Sequence, residues 1–141
     1  MLSKKKLLVK DLIIKKQNIP VLRETDLLKD ALDAMSKFKY GICFCVDSKG
    51  KLLGILTDGD LRRKILNVQK PFSALLGDDL NLHINKKPSK VYGSETLSAG
   101  LKMMKKKMVW DLPVVDKKNI LIGMLHLHPI VDVLIKKTTR I

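Results

Sequence analysis

The chain repeats itself. Sliding the sequence by 69 positions places Leu28 on Leu97, Met35 on Met104, Val46-Asp47 on Val115-Asp116 and Gly54-Ile55-Leu56 on Gly123-Met124-Leu125, with no gap between them. A repeat decides the architecture before any local reading does, because each unit leaves an apolar face that only its copy can cover. With 141 residues in all, there is room for one buried core shared by two like units.

Within the first unit, Leu27, Leu28, Ala31, Leu32 and Met35 recur three and four apart, which predicts an amphipathic helix over 26–38. A hairpin follows. Gly41 to Val46 is a run of strand formers, Asp47-Ser48-Lys49-Gly50 is a turn, and Leu52 to Leu56 is the return strand. Gly50 tolerates the positive φ such a turn needs, and the second unit carries Asn119 there, the next most tolerant residue. A second helix is expected over 58–66 and 128–136, and a short strand over 19–22 and 89–92. Each half therefore reads strand, helix, strand, strand, helix. The fold class is α/β (α+β), two units packed sheet against sheet about a pseudo-twofold axis. The division is 1–18 lead-in, 19–68 first unit, 69–88 connector and 89–141 second unit. The link from Asn67 to His83 carries Pro71, Gly77 and Asp78-Asp79 and is expected to hold one helical turn.

Aromatic residues make up 4% of the chain, so Leu, Ile, Val, Met and Ala must fill the interior. No stretch approaches the roughly 20 apolar residues of a membrane span, and Met1 to Lys10 holds no apolar run of signal-peptide length, so a soluble cytoplasmic protein is expected. Cys43 and Cys45, two apart on one strand, read as reduced core residues. The net charge of +14 admits anionic partners. Its lysines are scattered over several segments without interleaved aromatics, however, and this argues for a solvated basic surface over a nucleic-acid platform.

The chemistry is concentrated where strand 52–56 runs into Thr57-Asp58-Gly59-Asp60-Leu61-Arg62-Arg63. Thr57 and Asp60, three apart, have the spacing of a capping box, and helix capping alone accounts for both. The same corner presents free amides and the positive end of a helix dipole, which suit a phosphate or carboxylate. Thr57 then donates to phosphate, Asp60 accepts from ribose or sugar hydroxyls, and Arg62 or Arg63 supplies bidentate anion contacts. The two readings are compatible. Asp58 and Asp60 form an incomplete metal clamp with no third ligand, and the three histidines are too dispersed for zinc, so no metal site is assigned. The corresponding corner, His126-Leu127-His128-Pro129, puts His126 in place of Thr57 and Pro129 in place of Asp60. Pro129 suits the first turn of a helix capped at His128, and His126 and His128 stay available to touch an anion. No Ser or Cys has a base at useful spacing, so the chain is not read as an enzyme.

Together, Gly54-Ile-Leu-Thr-Asp-Gly-Asp60, Lys87-Pro88, Leu112-Pro-Val-Val-Asp116 and the Leu125-His-Leu-His128 corner resemble a tandem CBS pair, the Bateman module. In order along the chain they are most similar to the C-terminal pair of arabinose-5-phosphate isomerases of the sugar-isomerase (SIS) type. The segment from Lys6 to Leu12 looks like the one that leads out of that family's catalytic domain. The resemblance implies a regulatory module for an enzyme of Kdo and lipopolysaccharide biosynthesis. It implies a nucleotide or nucleotide-sugar in the cleft, with AMP, CMP and CMP-Kdo as candidates and no required cofactor. It also implies an SIS isomerase domain as partner in cis or in trans, and a homodimer or higher oligomer. Thr57 and Asp60 match the family's corner, whereas Pro129 departs from it. The candidate ligand set is Thr57, Asp60, Arg62, Arg63, Gly41, Ile42, Pro20, His126 and His128. A nucleic-acid binder and a purely structural assembly domain are the alternatives.

Overall fold

The computed structural model describes residues 6–138, so the first five residues of the lead-in and the last three of the second unit lie outside it. In chain order the elements are β1 (Ile14–Lys15), β2 (Val21–Arg23), α1 (Leu28–Phe38), β3 (Ile42–Val46), β4 (Leu52–Thr57), α2 (Asp58–Asn67), α3 (Phe72–Leu76), β5 (Val91–Tyr92), α4 (Leu97–Lys107), β6 (Asp111–Val115), β7 (Leu121–His126) and α5 (Leu127–Thr138). One sheet has the order β2-β3-β4 and the other β1-β7-β6-β5, so the expected mixed α/β class and two-sheet architecture hold. In each half a parallel pair, β2 with β3 or β5 with β6, leads into an antiparallel hairpin.

The boundaries differ from the sequence reading for local reasons. Helix α1 starts at Leu28, two residues later than expected, because Asp26 closes a turn: its carboxylate accepts from the Arg23 amide at 2.7 Å. The Leu27 amide then donates to Asp30 at 2.9 Å, which caps the helix. Strand β2 starts at Val21, after Pro20, which has no N–H to give a ladder, although its carbonyl accepts from Phe44 at 2.9 Å. Helix α5 starts at Leu127, one residue earlier than expected, so His126 stands where Thr57 stands in the first half. Pro129 is then the third helical residue, where an amide has no intrahelical partner to lose. The connector holds a full turn more than expected, α3 plus a 3-10 turn at Leu80–Leu82.

Three clusters make the core. The central one joins the halves, with Ile42, Phe44, Val46 and Leu52 packed against Val115, Leu121 and Met124. The hairpin tips meet on the pseudo-axis: the Leu52 amide donates to Asn119 at 2.9 Å and the Leu121 amide to Gly50 at 3.0 Å. Gly50 has φ +84° and Asn119 φ +64°, the conformation anticipated for both turns.

The lead-in and the connector change places. Residues before the first half pair with the second: the Val9 amide donates to Glu95 at 2.8 Å, the Leu97 amide to Leu7 at 2.8 Å, and β1 adds to β7. Residues before the second half pair with the first: the Leu80 amide donates to Asp26 at 2.8 Å, the Leu28 amide to Asp78 at 2.9 Å, and Asn85 bridges Ile55. Both junctions need a glycine. A Cβ on Gly54 would stand 2.4 Å from the Asn85 carbonyl oxygen, and one on Gly123 2.4 Å from that of Ile14.

Candidate functional site

Strand β4 delivers Thr57 to the N-cap of α2. The Thr57 hydroxyl accepts from the Asp60 amide at 3.2 Å, and the Thr57 amide donates to Asp60 Oδ2 at 3.4 Å, a reciprocal cap. Asp60 Oδ1 accepts from Arg63 at 2.7 Å, which closes a chain from hydroxyl to guanidinium. These groups are part-exposed, so the pair contributes little to stability and remains available to a ligand. Beside them, between α2 and the connector, lies a cavity of about 360 Å³ lined by Asp60, Arg63, Lys64, Asn67, His83 and Asn85. His83 is 8% exposed, and its Nε2 lies 2.8 Å from Asp78. The other oxygen of Asp78 accepts from Lys70 at 2.6 Å. Lys70 first and His83 second hold that carboxyl below its usual range. His83 Nδ1 is buried without a partner among the described residues.

The remaining candidates are placed apart. Gly41 faces Asp58, whose carboxylate lies 2.6 Å from where a Cβ would stand, and the Asp58 amide donates to the Gly41 carbonyl at 2.9 Å. Pro20 and Ile42 are buried, Ile42 in the cluster that joins the halves. Arg62 is exposed on α2. In the second corner His126 is engaged internally: Nδ1 bonds the Asp111 carboxylate, and its ring meets Tyr40 edge-on at 5.3 Å. Burial raises the Asp111 carboxyl, and the bond to His126 works against that shift. His128 points away, 79% exposed and 4.0 Å from Asp132. The two corners therefore differ in kind, a part-exposed Thr57–Asp60–Arg63 chain in one and a less exposed His126–Asp111 pair in the other.

The sequence profile of the CBS domain matches residues 9–67 and 79–135, both halves in turn. The chain belongs to the CBS domain family. A CBS domain-containing protein of Dictyostelium discoideum is 34% identical over 93% of this pair and 93% of its own length. Arabinose 5-phosphate isomerase KdsD of Francisella tularensis is 29% identical over 92% of the pair, which corresponds to 38% of that enzyme. The pair spans little more than a third of the length of the bacterial relatives it matches. Among solved structures, CBSX2 in complex with AMP superposes with a TM-score of 0.80 at 25% identity, over 93% of the pair and 98% of that chain. No helix among the described residues of the CBS pair is long and apolar enough to cross a membrane.

Around its open corner the CBS pair assembles two cations, a carboxylate, two carboxamides and an imidazole, a donor and acceptor set suited to a polyhydroxylated anion. Of the nine candidates, Asp60 and Arg63 line this cavity. Lys64, Asn67, His83 and Asn85 are there unannounced. The helical spacing of Asp60, Arg63, Lys64 and Asn67 was a readable signal for one wall of it. The arrival of the connector residues was not readable, because it depends on the exchange of segments between halves. Among the described residues, no three His, Cys, Asp or Glu side chains converge where a metal ion could sit.

Proposed function

We propose that this CBS pair is the regulatory part of an SIS-type arabinose-5-phosphate isomerase and that its first corner binds a nucleotide or nucleotide-sugar such as AMP, CMP or CMP-Kdo. The observation that carries the reading is the asymmetry of the corners. The first joins the Thr57 hydroxyl to the Asp60 carboxylate in one cap, with Asp60 and Arg63 lining an open cavity, whereas the carboxylate of the second is bonded to His126. Asp60 takes the sugar hydroxyls, Thr57 and the first-turn amides take the phosphate, and Arg62 and Arg63 reinforce the anion. Binding of AMP by CBSX2 and the match to KdsD support the ligand class and the enzyme respectively. The isomerase domain acts in cis or in trans, in the cytoplasm, and the ligand regulates it by binding one of its states more tightly than the other. Ile65 and Leu66 on α2 and Val131 on α5 are exposed apolar residues on outward helices, which supports self-association of the pair as a homodimer.

The test is calorimetric titration of the chain with AMP, ATP, CMP and CMP-Kdo at moderate salt, alongside Asp60→Ala. Saturable binding that weakens at least tenfold in the variant supports the sensor site. If none of the four binds, the corner is a helix cap only and the module serves assembly. Affinity for nucleic acid falling steeply with salt would instead favour a polyanion binder.

A further inference from the structure

The ends of the two equivalent helices α1 and α4 differ in character. Lys105-Lys106-Lys107-Met108-Val109-Trp110 correspond, at the 69-residue offset, to Ser36-Lys37-Phe38-Lys39-Tyr40-Gly41. In the first half the large side chains are turned to use: Lys37 lies 5.4 Å over the Phe38 ring, and Tyr40 packs on the cluster that joins the halves. In the second half all six residues are exposed, Met108 at 87% and Trp110 at 68%. A shallow hollow lined by Leu101, Met104, Lys105 and Leu127 continues the apolar surface beneath them. Among the described residues, neither the lead-in nor the connector lines that hollow. The tip is held in place by its backbone: the Val109 amide donates to Met104 at 3.1 Å, and the Leu127 amide to Trp110 at 3.0 Å. Lysines at a helix C-terminus complement its dipole, but that does not account for a methionine and a tryptophan left in water beside them. No carboxylate among the described residues pairs with Lys105, Lys106 or Lys107.

We propose that residues 105–110 form a peripheral contact with an anionic lipid surface, in which Met108 and Trp110 enter the boundary between headgroups and acyl chains and the three lysines meet the lipid phosphates. Complementarity of charge selects this occupant. A twofold contact with a second copy through the same patch would bring two lysine triplets together. A contact with the equivalent residues of the first half would set Trp110 against Ser36, Lys39 and Gly41. A nucleic acid would satisfy the lysines and offer a base to the one aromatic ring, yet it has no apolar layer to receive Met108 and Val109. An anionic bilayer surface supplies both parts: phosphates for a cluster of lysines and an apolar boundary for side chains that project from it. Tryptophan, apolar in body and polar at one edge, is the side chain that such a boundary favours.

Trp110 is the one tryptophan of the chain, so its emission reports on the tip alone. The probe is unilamellar vesicles of equal parts phosphatidylglycerol and phosphatidylcholine, with pure phosphatidylcholine vesicles as the neutral control. Co-sedimentation with the anionic vesicles, a blue shift of the emission, and quenching by lipids brominated along their acyl chains are expected. Binding should weaken roughly tenfold or more in Met108→Asp and in the double variant Lys106→Glu, Lys107→Glu. Both variants should keep the fold, since the positions are exposed and aspartate accepts the φ of +56° at Met108. Four results would each overturn the proposal. They are no binding to the anionic vesicles, sedimentation without quenching by brominated lipid, equal binding by Met108→Asp, and a blue shift on concentrating the chain without lipid, which would make a second copy the occupant. No nucleotide enters the experiment, so a failure of binding at Asp60 leaves its outcome unaffected.

Discussion

Alanine at Gly54 and at Gly123 perturbs the two junctions alike in stability and differently in function. In each case the new methyl would stand 2.4 Å from a backbone carbonyl oxygen, of Asn85 in one and of Ile14 in the other, and a backbone atom cannot swing aside. The neighbouring strip must lift. At Gly54 that strains two reciprocal hydrogen bonds between Ile55 and Asn85, of 3.1 and 2.7 Å. Overpacking costs about 1–3 kcal/mol, and each weakened bond about 0.5–1.5 kcal/mol. Removing a glycine from a strand returns about 0.5–1 kcal/mol. The net loss is about 3 kcal/mol at the middle of these ranges, which for a chain of this length lowers Tm by roughly 10 °C. Differential scanning calorimetry reads it. Asn85 lines the cavity beside Asp60, so Gly54→Ala also weakens nucleotide binding at a temperature where both variants are folded, and Gly123→Ala leaves it near wild type. A Tm within about 1 °C of wild type for Gly54→Ala would refute the packing argument. Equal loss of binding in both variants would refute the assignment of the cavity to the first corner.

Two further outcomes follow from buried and paired groups. Burial pushes the Cys43 thiol up to about 12 and the Cys45 thiol up to about 11; at pH 8 neither is a thiolate, so iodoacetamide should label the native chain at neither position and the denatured chain at both, as read by mass spectrometry. Asp78, held low by Lys70 and His83, stabilises the fold above its unfolded value and ceases to do so as pH falls through its lower folded value. The stability gap between wild type and Asp78→Asn in urea titrations should therefore shrink as pH falls below about 4; a gap that persists undiminished to about pH 2 contradicts the pairing.

The parts of the fold that were legible in the sequence are those governed by local pattern. The 69-residue offset carries both hairpins, and Gly50 and Asn119 occupy their turns because few other residues accept their φ. Thr57 and Asp60 could be read as a cap from their spacing, and the reciprocal bonds are there. The start of α1 was less legible, since Asp26 looks like a helix residue until its carboxylate is seen to close the preceding turn. His83 was less legible still. It lies in the connector, remote from the corner in sequence, and reaches the cavity only because residues 79–85 pack on the half they follow. The His126–Asp111 pair joins the two ends of a hairpin whose register the sequence reading left unassigned, and nothing in the pattern said that a strand's first residue would face the next helix's cap.

The crossing of the lead-in and the connector also decides where a force applied to the chain is felt. Val9 and β1 are held by Glu95 and β7, so a pull or twist on residues 9–15 is resisted first by the half farther along the chain, the one that contains His126. The corner with Asp60 is loaded instead through residues 78–85. Severing the chain at residue 68 would therefore not yield two finished units. Each piece would keep the strap that belongs to the other, and neither would close until the two met again.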